Sequence, residues 1–189
     1  MIIGLTGTAG SGKDTVAEFL KKKGFSYYSC SDILRHECAK RGMESNRDNL
    51  IVVGRELRWK EGYGVLAKRI IQKIKSKGIA NAVVVSLRHP DEVKEMKNCK
   101  LFKMVFVDAP VEMRYKRIKK RNERPQDKAM DNVSFEKFKQ QEKEEHATHG
   151  ASQQLGVVKK MADTTIMNNG TLEQFHKKIS NVLKKIGIN

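Results

Sequence analysis

Cysteine is scarce in this chain, and the little present excludes two kinds of small scaffold. Cys30, Cys38 and Cys99 are odd in number and lack metal-ligand spacing, so neither a disulfide framework nor a zinc site is expected. They read as reduced thiols in a cytoplasmic protein. Long apolar runs are missing too: no stretch approaches the length of a membrane span, so no membrane partner is expected. The N-terminus opens on a strand pattern with no basic region before it, which does not read as a secretory signal. Aromatic residues make up only 6% of the chain and are not interleaved with basic ones, as a base-stacking platform would require. Acidic residues are outnumbered, 22 against 38 Lys and Arg, which leaves a net charge of +16. Such a surplus suits polyanionic ligands. Small nucleotides therefore rank first as partners, and nucleic acid is not favoured. No internal repeat stands out, and nothing specifies an oligomeric state. At 189 residues and 39% hydrophobic content, a single domain over residues 1–189 with a real core is the simplest organisation.

What is present is concentrated in residues 1–20, MIIGLTGTAGSGKDTVAEFL. Met1 to Leu5 is apolar and long enough for one buried strand. Gly7-Thr8-Ala9-Gly10-Ser11-Gly12-Lys13 follows, and then an amphipathic run from Thr15 to Lys23. Strand, glycine-rich loop and helix form the context in which G-x-x-x-x-G-K marks a phosphate cradle. Glycines reach backbone angles that a Cβ forbids, so their N–H groups can converge on one anion. The helix N-terminus adds unpaired N–H groups and a favourable dipole, and Lys13 adds a point charge. The residue after Lys is Asp14 rather than the usual Ser or Thr, with Thr15 one place further on.

Beyond the loop, strands and helices alternate, which predicts a parallel α/β sheet. Strands are expected at Phe25 to Ser29, Ala82 to Leu87, Leu101 to Val107 and Thr164 to Met167. Helices are expected at Ile33 to Lys40 with a cap at Ser31 or Asp32, Asn46 to Trp59, Val65 to Lys77, Pro90 to Met96, Val111 to Arg121, Phe135 to Glu145, Ala151 to Met161 and Leu172 to Ile186. Arg88 falls at the carboxyl end of the third strand, where ligands of such sheets bind. Arg114, Arg117 and Arg121, with Arg124 just beyond, share one side of a helix. A bound polyphosphate would relieve their mutual repulsion. The stretch 122–150 is polar and reads as a lid or a surface excursion, and His146 and His149 at its end read as surface residues.

The order GTAGSGKDT, YYSCSDILRHE, VVVSLRHPDEV, VDAPVEMRYKRIKKR and ADTTIMNNGTLEQF resembles P-loop nucleoside and nucleotide monophosphate kinases. The nearest look is to archaeal adenylate-kinase-related proteins and to the kinase-like domain of some deoxycytidylate deaminases. The resemblance implies a three-layer α/β sandwich with a five-stranded parallel sheet of the P-loop nucleotide-kinase type, acting with ATP and Mg2+. It implies that Gly7, Thr8, Ala9, Gly10, Ser11, Gly12, Lys13, Asp14 and Thr15 hold the donor phosphates. Asn168 to Thr171, including Gly170, would line the adenine pocket. Asp32, Arg35, Arg58 and Arg88, largely within acceptor-binding helices over about 30–78, would grip the acceptor. Arg117 and Arg121 would meet the transferred phosphate, and Lys13, Arg88, Arg117 and Arg121 together would carry catalysis. Relatives often have an Asp near Val84-Val85-Ser86 that helps hold the metal; here Asp14, or Asp108, would serve instead. Stretch 122–150 lacks the dense arginines of an adenylate kinase, so the acceptor need not be AMP. Dephospho-coenzyme A kinase and a nucleotide-dependent switch binding RNA or protein are the alternative readings.

Overall fold

The structure, a computed structural model, describes residues 1–120, 134–145 and 153–188. In chain order these form β1 (Ile2–Gly7), α1 (Lys13–Lys22), β2 (Ser26–Ser29), α2 (Cys30–Lys40), α3 (Arg47–Glu61), α4 (Val65–Ser76) and β3 (Ala82–Val85). There follow α5 (Pro90–Lys97), β4 (Phe102–Asp108), α6 (Val111–Lys119), α7 (Phe135–Glu145), α8 (Leu155–Lys160), β5 (Thr164–Met167) and α9 (Leu172–Lys185). The five strands make one parallel sheet in the order β2-β3-β1-β4-β5. The fold class is the expected α/β sandwich. Among the described residues, no helix is long and apolar enough to cross a membrane.

The sheet is central because its three inner strands, β1, β3 and β4, are largely apolar on both faces. One set, Ile3, Leu5, Val83, Val85, Val105 and Val107, packs against Val16 and Leu20 of α1 and Phe175, Ile179 and Leu183 of α9. The alternate set, Ile2, Ala82, Val84 and Met104, packs against α2 to α5 and Val158 of α8. Period two along each strand assigns every residue to one layer or the other. Each fully buried aliphatic side chain contributes roughly 1.5–3 kcal/mol relative to exposure. Because all strands run parallel, their carboxyl ends share one edge. The loop after β1, the turn after β3, Asp108 and Asn168 therefore emerge together.

Several boundaries differ from expectation for local reasons. Helix α2 begins at Cys30, directly after β2, and its cap is Ser29, whose Oγ accepts from the Ser31 N–H at 3.2 Å. Asp32 sits in the first turn instead. Strand β3 stops at Val85 rather than Leu87 because Ser86 turns into the left-handed region, with φ 65°. Helix α6 ends at Lys119, and Arg121, Arg124, His146 and His149 lie outside the described residues. The helix expected from Ala151 starts at Leu155. Of the lid-like stretch, only residues 134–145 are described, and there Ser134 accepts from the Lys137 N–H at 3.3 Å.

Left-handed backbone costs a non-glycine residue of order 1–2 kcal/mol. Ser86→Gly should therefore raise stability, by about 1 kcal/mol once the added freedom of the unfolded chain is deducted. Calorimetry should show a melting point roughly 2–4 °C higher, and a melting point that falls would mean Ser86 carries no strain.

Candidate functional site

The loop between β1 and α1 has the geometry its glycines imply. Gly10 and Gly12 adopt φ 74° and 98°, and Gly12 caps α1 without a side-chain hydrogen bond to the first turn. A Cβ on Gly10 would lie 2.7 Å from the Arg114 carbonyl oxygen, and one on Gly12 would lie 2.6 Å from Asn168 Nδ2. The glycines thus serve both turn geometry and close approach. Gly7 abuts the Val107 carbonyl where β1 meets β4. Lys13 is the first residue of α1, with Asp14 and Thr15 in the same turn, and Thr15 N–H donates to the Gly12 carbonyl at 3.0 Å. The Ser11 hydroxyl is fully buried and makes no hydrogen bond among the described residues. A buried donor left over inside such a loop suits an incoming phosphate oxygen.

Asn168, after β5, braces the loop. Its Nδ2 donates to the Ser11 carbonyl at 2.8 Å, while its own carbonyl and Oδ1 each accept from Arg117 Nη2 at 3.2 Å. Burial lowers the Arg117 pKa, and its Nη1 is buried with no hydrogen-bond partner among the described residues. Loop, Asn168 and Arg117 therefore form one connected wall. Gly170 lies beside the Thr171 cap of α9, where Gln174 completes a capping box.

On the other side, the β3 turn is tied to the loop's stem: Thr6 Oγ1 donates to the Leu87 carbonyl at 2.6 Å. Arg88 comes next, and its Nη1 donates to Gln153 Oε1 at 2.6 Å. The turn is held from below by Glu92, which is fully buried in α5. Its Oε2 accepts the Arg88 and His89 N–H groups at 2.8 and 3.1 Å, and its Oε1 accepts from Arg58 Nη2 at 2.8 Å. Arg58, expected at the acceptor, is buried and paired with Glu92, the residue that also holds the turn. Asp32 and Arg35 pair at 2.5 Å on α2. Burial, reinforced by Asp32 and Asp14, raises the pKa of the nearby Tyr27 phenol. Burial pushes the Cys30 thiol well up, which marks it as inert.

The two described arginines of the α6 row, Arg114 and Arg117, meet different partners. Arg114 is buried, donates to the Ala109 carbonyl at 2.7 Å, and forks onto both carboxylate oxygens of Glu142 in α7. Its charge is spent on joining α6 to α7. Sequence reasoning missed Glu142, Gln153 and Lys159, which are ordinary polar residues until the helices are assembled. Glu92 had a local signal, the N3 place of a helix starting at Pro90.

The donor set does not fit a protein-anchored magnesium ion. Asp14 lines a surface hollow with Ala17, Glu18, Lys21 and Tyr27, and lies 3.9 Å from Lys13 Nζ. Asp108 Oδ1 accepts from Thr8 Oγ1 at 3.1 Å and from the Ala109 N–H at 2.9 Å, and its Oδ2 accepts from Lys159 Nζ at 2.6 Å. The end of β3 is apolar. No group of three or more potential ligands gathers among the described residues.

Residues 3–146 match the model of a family described as an AAA domain. The chain is 34% identical over 193 residues to a UPF0200 protein of Pyrococcus abyssi, covering 98% of this chain and 97% of that one. It is 35% identical to a UPF0200/UPF0201 protein of Archaeoglobus fulgidus, where it covers 100% of this chain and spans only 56% of the relative's length. Among solved structures, shikimate kinase from Bacteroides thetaiotaomicron aligns with TM-score 0.62 at 15% identity, over 100% of this chain and 99% of that one. Dephospho-CoA kinase from Campylobacter jejuni aligns with TM-score 0.57 at 17% identity, over 98% and 96%. At such identities the likeness is one of fold, the α/β P-loop NTPase fold.

Proposed function

This chain belongs to the UPF0200 family and carries an AAA domain, and we propose that it transfers a phosphoryl group from ATP to a small phosphorylated acceptor, a nucleoside or deoxynucleoside monophosphate. The observation that carries this reading is the pairing of two anion-binding elements on one edge of the sheet. The glycine loop with Lys13 lies after β1, and the arginine-bearing turn of Arg88 lies after the adjacent β3, joined through Thr6 and Leu87. Phosphoryl transfer asks chiefly for positioning and charge neutralisation, and both elements supply them.

In this reading Lys13 and the loop N–H groups hold the β- and γ-phosphates, with the Ser11 hydroxyl adding a donor. Arg88 and Arg35 hold the acceptor phosphate, and the helices between residues 30 and 78 shape its pocket. Arg117, held beside the loop by Asn168, meets the transferred phosphate. The kinship with adenylate-kinase-related proteins is part of the same proposal and is supported by the order of these segments.

The test is ADP formation from ATP across all ribo- and deoxyribonucleoside monophosphates, dephospho-coenzyme A, shikimate and water. One monophosphate should stand far above the water blank. Arg88→Ala should then raise the acceptor KM by about 10- to 100-fold, the loss of a charged hydrogen bond of roughly 1.5–3 kcal/mol, with ADP binding unchanged. A rate never above the blank would move the assignment to a nucleotide-dependent switch.

A further inference from the structure

P-loop enzymes hold Mg2+ between the hydroxyl that follows the loop lysine and a carboxylate at a neighbouring strand end. Both places are filled differently here. Asp14 follows Lys13, and its side chain lines the hollow beside Tyr27. On β3, the strand paired directly with β1, the terminal residues are Val84 and Val85, both buried, followed by the left-handed Ser86. The carboxylate has moved to the other flank of β1, as Asp108 at the end of β4.

Asp108 is already supplied with donors. A carboxylate offers about four lone-pair sites. Three are taken, by Thr8 Oγ1 in the loop itself, by the Ala109 N–H and by Lys159 Nζ. Lys159 reaches in from α8 to 2.6 Å and also lies 5.3 Å from the centre of the Phe106 ring. An ammonium thus neutralises a carboxylate bonded to the loop. Mg2+ sheds its water reluctantly, and here it would also have to displace a lysine. Net positive charge around the loop comes from the chain, from Lys13 and Arg117.

We infer that this loop binds nucleoside di- and triphosphates with an affinity that is independent of Mg2+, Lys159 taking the place of a metal at Asp108. The inference rests on the phosphate-binding reading of the loop.

Calorimetric titration of the full chain with ADP, once in EDTA and once in excess Mg2+, tests it. The two dissociation constants should agree within about threefold, a difference under 1 kcal/mol. Tightening by Mg2+ of about tenfold or more, 1.4 kcal/mol, would overturn the inference while leaving nucleotide binding standing. Absence of ADP binding in both buffers would overturn the nucleotide reading itself, and this inference with it.

Variants test the part given to Lys159, whose side chain is 44% exposed and so can be changed with little effect on the core. Lys159→Gln frees a carboxylate oxygen beside the loop, and ADP binding should become tighter in Mg2+ than in EDTA. Adding Asp108→Asn should abolish that new dependence. A Lys159→Gln protein that stays indifferent to Mg2+ would overturn the role assigned to Lys159.

Discussion

Lys13→Ala should lower ATP turnover by about 10²–10³-fold, the size of effect seen when one preorganised donor to developing charge is removed. The fold should survive the change. Lys13 is the first residue of α1, and a positive charge at a helix N-terminus opposes the macrodipole. Without nucleotide, the variant should melt at the wild-type temperature or slightly above it. The difference should emerge when ADP is added. At a hundred times its dissociation constant, a ligand stabilises by about 2.7 kcal/mol, a shift of several degrees for a chain of this size. The variant should lose most of that shift at the same ADP concentration. Retained turnover, or an undiminished ADP-induced shift, would remove Lys13 from the phosphate site and the proposed mechanism with it.

The second large effect concerns stability. Glu92→Ala should destabilise the protein by about 3–5 kcal/mol, the usual cost of breaking a buried ion pair by removing one partner. Arg58 is 7% exposed and Glu92 fully buried, so the guanidinium left behind would lose its carboxylate partner among the described residues and gain little water in exchange. Two N–H groups, of Arg88 and His89, would lose their acceptor as well. The melting point should fall by roughly 6–20 °C. Glu92→Gln keeps one acceptor oxygen but gives up the charge, and should fall between the two. In the double variant Arg58→Met/Glu92→Met the unpaired charge is gone, so part of the loss should return. The N–H groups would still lack an acceptor, so recovery stays incomplete. A drop of less than about 2 °C for Glu92→Ala, under 1 kcal/mol, would show that the pair does not hold the turn. Because that turn carries Arg88, the Glu92→Gln protein should also use its acceptor less well while binding ADP normally.

These effects fall on residues of different legibility. Lys13 can be picked out from the sequence because the loop is contiguous. The same holds for the apolar runs of β1, β3 and β4 and for Arg88 as a strand-end residue. Arg58 is the opposite case. Its neighbours on α3 say nothing of Glu92, which is brought to it only when α3 and α5 pack on the same face of the sheet. The α6 arginines look equivalent along the helix, yet Arg114 meets Glu142 and Arg117 meets Asn168.

The sequence by itself determined the sheet, the loop and the helix that follows it, because period-two burial, glycine's access to positive φ and the start of a helix are properties of neighbouring residues. Only the tertiary structure decided which charges remain available to a ligand. Arg58, Arg114 and Asp108 are each partnered by a residue far along the chain. Coulombic attraction and desolvation act through space, so the state of a charge depends on which elements pack beside it.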